Sequence, residues 1–126
     1  IRDSSVTGVQ TCALPISKAF VPGIFVLEIA NTLLVAERRN RMNREQTEMV
    51  INLLESLSIQ VDELTENQAL GATLLLGREQ GLAAYDAAYL ELAIRLALPL
   101  ATLDARLAEA ATRCGVMLLN PDGTIE

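Results

Sequence analysis

Three carboxylates stand in apolar company in this chain. Glu28 lies inside FVLEIAN, Asp86 follows Tyr85 in GLAAYDAAYLELA, and Asp104 ends the apolar stretch LATLD. Asn31 follows Glu28 by about one helical turn, on nearly the same face. The chain contains no histidine, which removes Ser-His and Cys-His nucleophiles and most zinc chemistry. Cys12 and Cys114 match no metal spacing, and Cys114 in ATRCGV reads as a small core residue. Any chemistry therefore rests on carboxylates. Each acid also has a plain structural reading. An aspartate at a helix start caps the helix or faces its dipole, which fits Asp86 and Asp104. A glutamate amid apolar residues can lie on an exposed stripe or reach to solvent, which fits Glu28. Glu45, Glu48, Glu55, Glu63, Glu66 and Glu109 fall where solvent is expected.

The segments that must position these acids alternate in period. From Pro22, PGIFVLEIANTLLVAERRN repeats its apolar residues with helical spacing, with Pro22 suited to the first turn. Arg38, Arg39 and Arg41 suit its carboxyl end through the dipole. With Arg44 they can contact phosphate or an acidic partner segment, or simply form a solvated helix end. Asn43 suits an N-cap for REQTEMVINLLESL, with Met49, Leu53, Leu54 and Leu57 on one face. SIQVDEL alternates Ile59, Val61 and Leu64 as a short strand. Thr65 is positioned to cap a helix that runs to Gly81, whose type suits a helix end. YDAAYLELAIRLAL is a further helix, stopped by Pro99. LATLD then reads as a strand, ARLAEAATRCG as an amphipathic helix ended by Gly115, and VMLLN as a last buried strand. Helices alternating with short apolar strands predict a parallel sheet covered on both faces. Ligands of such sheets bind beyond the carboxyl ends of the strands, which is where Asp104 falls.

At 126 residues and 51% hydrophobic, the chain is one domain with enough apolar side chains for a core. Its mean hydropathy is +0.31. No apolar run reaches the roughly 18 residues that span a bilayer, so the excess belongs to a core and an oligomer interface. The net charge of −6 argues against nonspecific nucleic-acid binding, without excluding a local basic patch or a cation that offsets the acids. Nothing requires an oxidising compartment and no signal peptide is visible, so a cytoplasmic location is expected.

The ordered pieces VPGIFVLEIANTL and GLAAYDAAYLELAIRLALPLATLDARLAEAATRCGV, over roughly residues 20 to 120, resemble the PIN-domain family. Within it they are similar to the VapC-type toxins of bacterial toxin–antitoxin pairs. The resemblance implies a three-layer α/β/α fold and a metal-dependent endoribonuclease. It implies Mg²⁺ or Mn²⁺ bound by Glu28, Asp86 and Asp104, a helper role for Thr102, and a positioning role for Asn31. It also implies an RNA substrate, a cognate antitoxin and a homodimer. Hard oxygen ligands suit Mg²⁺, which keeps several waters and needs few protein carboxylates. Without metal, close carboxylates repel one another and at least one pKa rises. A non-catalytic PIN-like module that dimerises and binds an antitoxin peptide is the alternative, served by the apolar surplus at Leu33, Leu34 and Val35.

Residues 1–17, IRDSSVTGVQTCALPIS, show neither period and resemble a peptide translated from sequencing-adapter DNA. The expectation is a doubtful non-native leader at 1–17 and a PIN domain, incomplete at its N-terminus, at 18–126. The family carries an acid at the end of its first strand, followed by a helix. Asp3 mimics that acid but stands too close to Glu28 to leave room for the helix, so the first strand is expected to be missing or replaced.

Overall fold

The computed structural model describes residues 11–13 and 18–126; the Asp3 expectation lies outside them. Four short strands form one sheet in the order β3-β2-β1-β4: β1 Thr11–Ala13, β2 Ala19–Val21, β3 Ile59–Val61 and β4 Leu100–Ala101. The helices are α1 Phe25–Arg38, α2 Arg44–Ser56, α3 Thr65–Gln68, α4 Leu74–Gln80, α5 Ala84–Leu96 and α6 Ala105–Arg113. Helix and short sheet combine in the expected α/β/α class.

The sheet is parallel where crossovers permit it. β2 and β3 pair in parallel, Ala19 opposite Ile59 and Val21 opposite Val61. β1 is the exception, antiparallel to both β2 and β4. Its link to β2 explains why: only five residues separate Ala13 from Ala19. A parallel crossover takes a dozen or more residues, whereas a hairpin needs few. β1 thus occupies the sheet position between β2 and β4, within the 1–17 segment.

α5 is the central element. Residues 86–93 are all buried, so this helix is enclosed around its whole circumference. Tyr89, Leu90, Leu92 and Ala93 pack with Val21 of β2, Phe25 of α1, Leu100 of β4, and Leu107, Ala110 and Ala111 of α6. The last three follow i, i+3, i+4 spacing, the buried stripe of an amphipathic helix.

Several local expectations are corrected. Pro22 precedes α1 rather than opening it; its carbonyl accepts from the Phe25 N–H, in a turn between β2 and the helix. β2 itself is too short and too weakly alternating to have been legible. Asn43 caps α2 in a full capping box with Gln46. The α2 stripe, however, faces outward: Met49, Leu53 and Leu57 are exposed, and only Thr47 of this helix is buried. Thr65 does not cap; the N-cap is Leu64, and the Thr65 hydroxyl is engaged elsewhere, as described below. The helix from Thr65 to Gln80 is interrupted by a π turn over Ala69–Thr73. The wider turn changes the helical register, leaving Leu70 exposed while Leu76 reaches the core. VMLLN contributes a single parallel bridge, Leu118 to Leu100, because the turn at Pro121, Asp122 and Gly123 folds Ile125 back onto Leu119.

Gly81 ends α4 with φ +66, in the left-handed region, with open space where a Cβ would stand. Gly81→Ala is therefore expected to cost about 1 kcal/mol through backbone strain alone. Urea unfolding reads this directly, and an unchanged midpoint would contradict the strain.

Candidate active site

The three acids occupy the starts of three different helices. Asp86 sits in the first turn of α5 and is 2% exposed, between Ala83 as N-cap and the buried Ala87 and Leu90. It does not cap the helix, but its charge faces the positive helix start. Glu28 sits in the first turn of α1 and is half-buried. Asp104 follows β4 and caps α6: its Oδ1 accepts from the N–H groups of Arg106 at 2.9 Å and Leu107 at 3.4 Å. Thr102 shapes this corner, its hydroxyl oxygen accepting from the Asp104 N–H at 3.0 Å. The structural reading of Asp104 as a cap is thus realised, and it engages one carboxylate oxygen.

Two side-chain bonds bring the three helix starts together. The Tyr89 hydroxyl, one turn beyond Asp86, donates to Glu28 Oε1 at 2.6 Å. This joins α5 to α1. Arg106 Nη2 in the first turn of α6 donates to the Gly81 carbonyl at 2.7 Å, just before α5. This joins α6 to the entry of α5. Glu28, Asp86, Tyr89 and Asp104 each have a further partner as well.

The gathering stops short of a closed cage. Among the described residues, no group of three or more Asp, Glu, Cys or His is arranged to hold a metal ion. Glu28 accepts from Tyr89, and Asp104 caps its own helix. The three residues of β1, Thr-Cys-Ala, include no carboxylate. The donors at this edge are oxygens only, which is the chemistry of a hard divalent cation, and Mg²⁺ takes as few as one or two carboxylates with waters completing its shell. The donor set fits such an ion in kind; a closed three-acid site is not formed by these residues alone.

The PIN-domain profile matches residues 10–112, across the strands, helices and acids just described. The chain belongs to the PIN-domain family. No curated protein matches it significantly. PIN domains are generally nucleases and typically use divalent metals. Among the described residues of this PIN domain, no helix is long and apolar enough to cross a membrane.

One polar cluster of the domain escaped the sequence reading. Arg95 on α5 grips two acids: Nε and Nη2 donate to Glu91 at 2.8 and 2.9 Å, and Nη1 and Nη2 donate to Asp62 at 3.0 and 2.7 Å. Asp62, just past β3, also accepts from the Thr65 hydroxyl at 2.8 Å. That hydroxyl oxygen in turn accepts from the Gly23 N–H at 2.8 Å, at the turn leading into α1. The hydrogen bonds from Arg95 hold Asp62 below the ordinary aspartate pKa of 3.8. Those to Glu91 and Asp62 keep Arg95 protonated well above its usual range. The knot ties β3, the entry to α1 and the end of α5. Only the i, i+4 spacing of Glu91 and Arg95 was visible in the sequence.

Tyr89→Phe removes the bond to Glu28 at a site only 2% exposed. A loss of about 2 kcal/mol is expected, the range for a bond to a charged acceptor. Chemical denaturation measures it; a loss below about 0.5 kcal/mol would mean that Glu28 finds an equal donor elsewhere.

Proposed function

We propose that this PIN domain is a metal-dependent endoribonuclease, the toxin component of a VapC-type toxin–antitoxin pair, acting in the cytoplasm. The observation that carries the reading is Asp86, a carboxylate almost fully buried at a helix start that is cross-linked to the helices of Glu28 and Asp104. Asp86, Glu28 and Asp104 would hold Mg²⁺ or Mn²⁺, with Thr102 keeping the Asp104 corner in place. When bound, the ion supplies positive charge to the scissile phosphate and makes water a better nucleophile. The chain's own groups orient the pocket. Tyr89 fixes one oxygen of Glu28 and so sets the orientation of its carboxylate. The cap on α6 holds the Asp104 carboxylate in place. The apolar wall around Asp86 lowers the local dielectric, which strengthens each charge interaction made there.

A second reading is supported by exposed apolar surface. A groove of about 460 Å³ runs between α1 and α2, lined by Phe25, Val26, Ile29, Leu33, Ile51 and Leu54. Val26, Leu27, Leu34, Met49, Leu53 and Leu57 are exposed nearby. A non-catalytic module that dimerises and takes up an antitoxin peptide would use this surface, as would an active toxin. Cleavage of single-stranded RNA with Mg²⁺ or Mn²⁺, and none with EDTA, is expected of the enzyme. No cleavage under any metal, with self-association and peptide binding intact, would select the module.

A further inference from the structure

We propose that the turn joining α1 to α2 is a phosphate-binding arm that holds single-stranded RNA alongside the acid-bearing edge; this rests on the nuclease reading above. Residues 38–44, RRNRMNR, hold four of the ten basic residues of a chain whose net charge is −6. Arg38, Arg39, Arg41 and Arg44 are exposed, and none of them makes an ion pair among the described residues. Glu37, the nearest preceding acid, is engaged by the Thr47 hydroxyl at 2.6 Å and forms no ion pair with them among the described residues.

The arm is built rather than loose. Asn40 adopts φ +57, and its N–H donates to the Glu37 carbonyl while the Arg41 N–H donates to that of Ala36. Two residues on, the Asn43–Gln46 capping box starts α2. Four guanidinium groups therefore project from a fixed backbone, and guanidinium geometry matches phosphate oxygens.

Position selects the partner. Arg39, the C-cap of α1, follows Glu28 by eleven residues, close to three full turns, so it stands near the line of Glu28 at the far end of the helix, roughly 16 Å away. That span fits roughly five stacked nucleotides. The apolar groove follows a different line of the helix, through Phe25, Ile29 and Leu33. Arg39 thus continues the acid-bearing edge rather than the groove, with Arg41 and Arg44 following it through the turn, which favours the substrate over a protein segment.

Binding of a fluorescent 12-nucleotide single-stranded RNA to the full chain, in EDTA, tests the arm. The variant Arg38→Gln, Arg39→Gln, Arg41→Gln, Arg44→Gln is expected to bind at least tenfold more weakly at 150 mM salt. Its salt dependence should be shallower by about 0.7 in log-log slope for each arginine that contacts phosphate. Arg78→Gln, an exposed arginine elsewhere, should bind as the parent does. Binding by the fourfold variant within twofold of the parent overturns the arm, as does a poly-glutamate chain that competes more tightly than RNA of equal charge. Cleavage with Mg²⁺ separates the two proposals. RNA cut and bound equally well by the fourfold variant sinks the arm and leaves the nuclease. RNA held through the arginines but never cut supports the arm and sinks the nuclease.

Discussion

Asp86→Asn is expected to lower RNA cleavage by at least about 100-fold, the usual loss when one preorganised charge is removed from a reacting centre, while leaving the fold intact. The substitution keeps shape and volume and removes only the charge. Asp86 is 2% exposed, against the fully buried Ala87 and Leu90. Burial of a carboxylate in such surroundings disfavours the folded chain unless a compensating charge is present. The helix start returns only about 0.3–1 kcal/mol of that cost. The variant should melt at the parent temperature or above it, and should bind Mn²⁺ more weakly in a direct titration. Initial rates of RNA cleavage with Mn²⁺, measured beside thermal unfolding, give both halves of the result. Undiminished cleavage by the variant would remove Asp86 from the chemistry. Joint loss of cleavage and of folding would make it a structural acid.

The apolar surroundings of Asp86 made it conspicuous in the sequence, and the same surroundings bury it. Periodicity is strong where one element packs on all sides or along one clean stripe. That is why α5, α6 and the capped start of α2 could be read directly. It fails for β1 and β2, whose three residues alternate too briefly and weakly to register, while β3 and β4 lay in the apolar stretches SIQVDEL and LATLD. The α2 stripe shows a different limit. Met49, Leu53 and Leu57 have the spacing of a buried face, but spacing cannot say whether the covering surface belongs to the same chain. The direction of β1 was fixed by arithmetic on chain length rather than by residue type, since five residues cannot make a crossover.

At the site, residue type and order identified the acids, but not their partners. Asp104 was legible both as a candidate ligand and as a cap, and its backbone bonds realise the cap. Tyr89 gave no separate signal, because a tyrosine in YDAAYL is first of all a core residue. Its bond to Glu28 joins positions 61 residues apart, and no local pattern encodes that. Asp62 falls within SIQVDEL with no pattern to mark it out. Its neighbours Glu63 and Glu66 are indeed exposed, and only the fold shows that Asp62 alone turns toward Arg95.

That turn makes Arg95→Met the substitution expected to cost most in stability, about 3 kcal/mol. Removing one member of a buried charge network costs roughly 3–5 kcal/mol because the remaining charges are left uncompensated. The side chains of Asp62 and Glu91 are only 10% and 7% exposed, whereas Arg95 is 21% exposed, which places the expectation at the low end. Methionine fills similar space, so the loss reflects charge rather than a cavity. The pH dependence follows from Asp62, whose pKa Arg95 depresses from 3.8. A depressed carboxylate pKa gives stability that is complete above the ordinary value and disappears as pH falls through the folded-state value. The difference between parent and Arg95→Met should therefore be full at pH 7 and shrink below about pH 4. A companion variant, Arg95→Met with Glu91→Leu and Asp62→Asn, should recover part of the loss, since replacing a whole buried network is often neutral. It should not recover all of it, because Asp62 also holds Thr65 and, through it, the Gly23 turn. A difference that stays constant from pH 7 to pH 3 would show that Arg95 acts by packing, and that the approach of α1 to α5 does not depend on its charge.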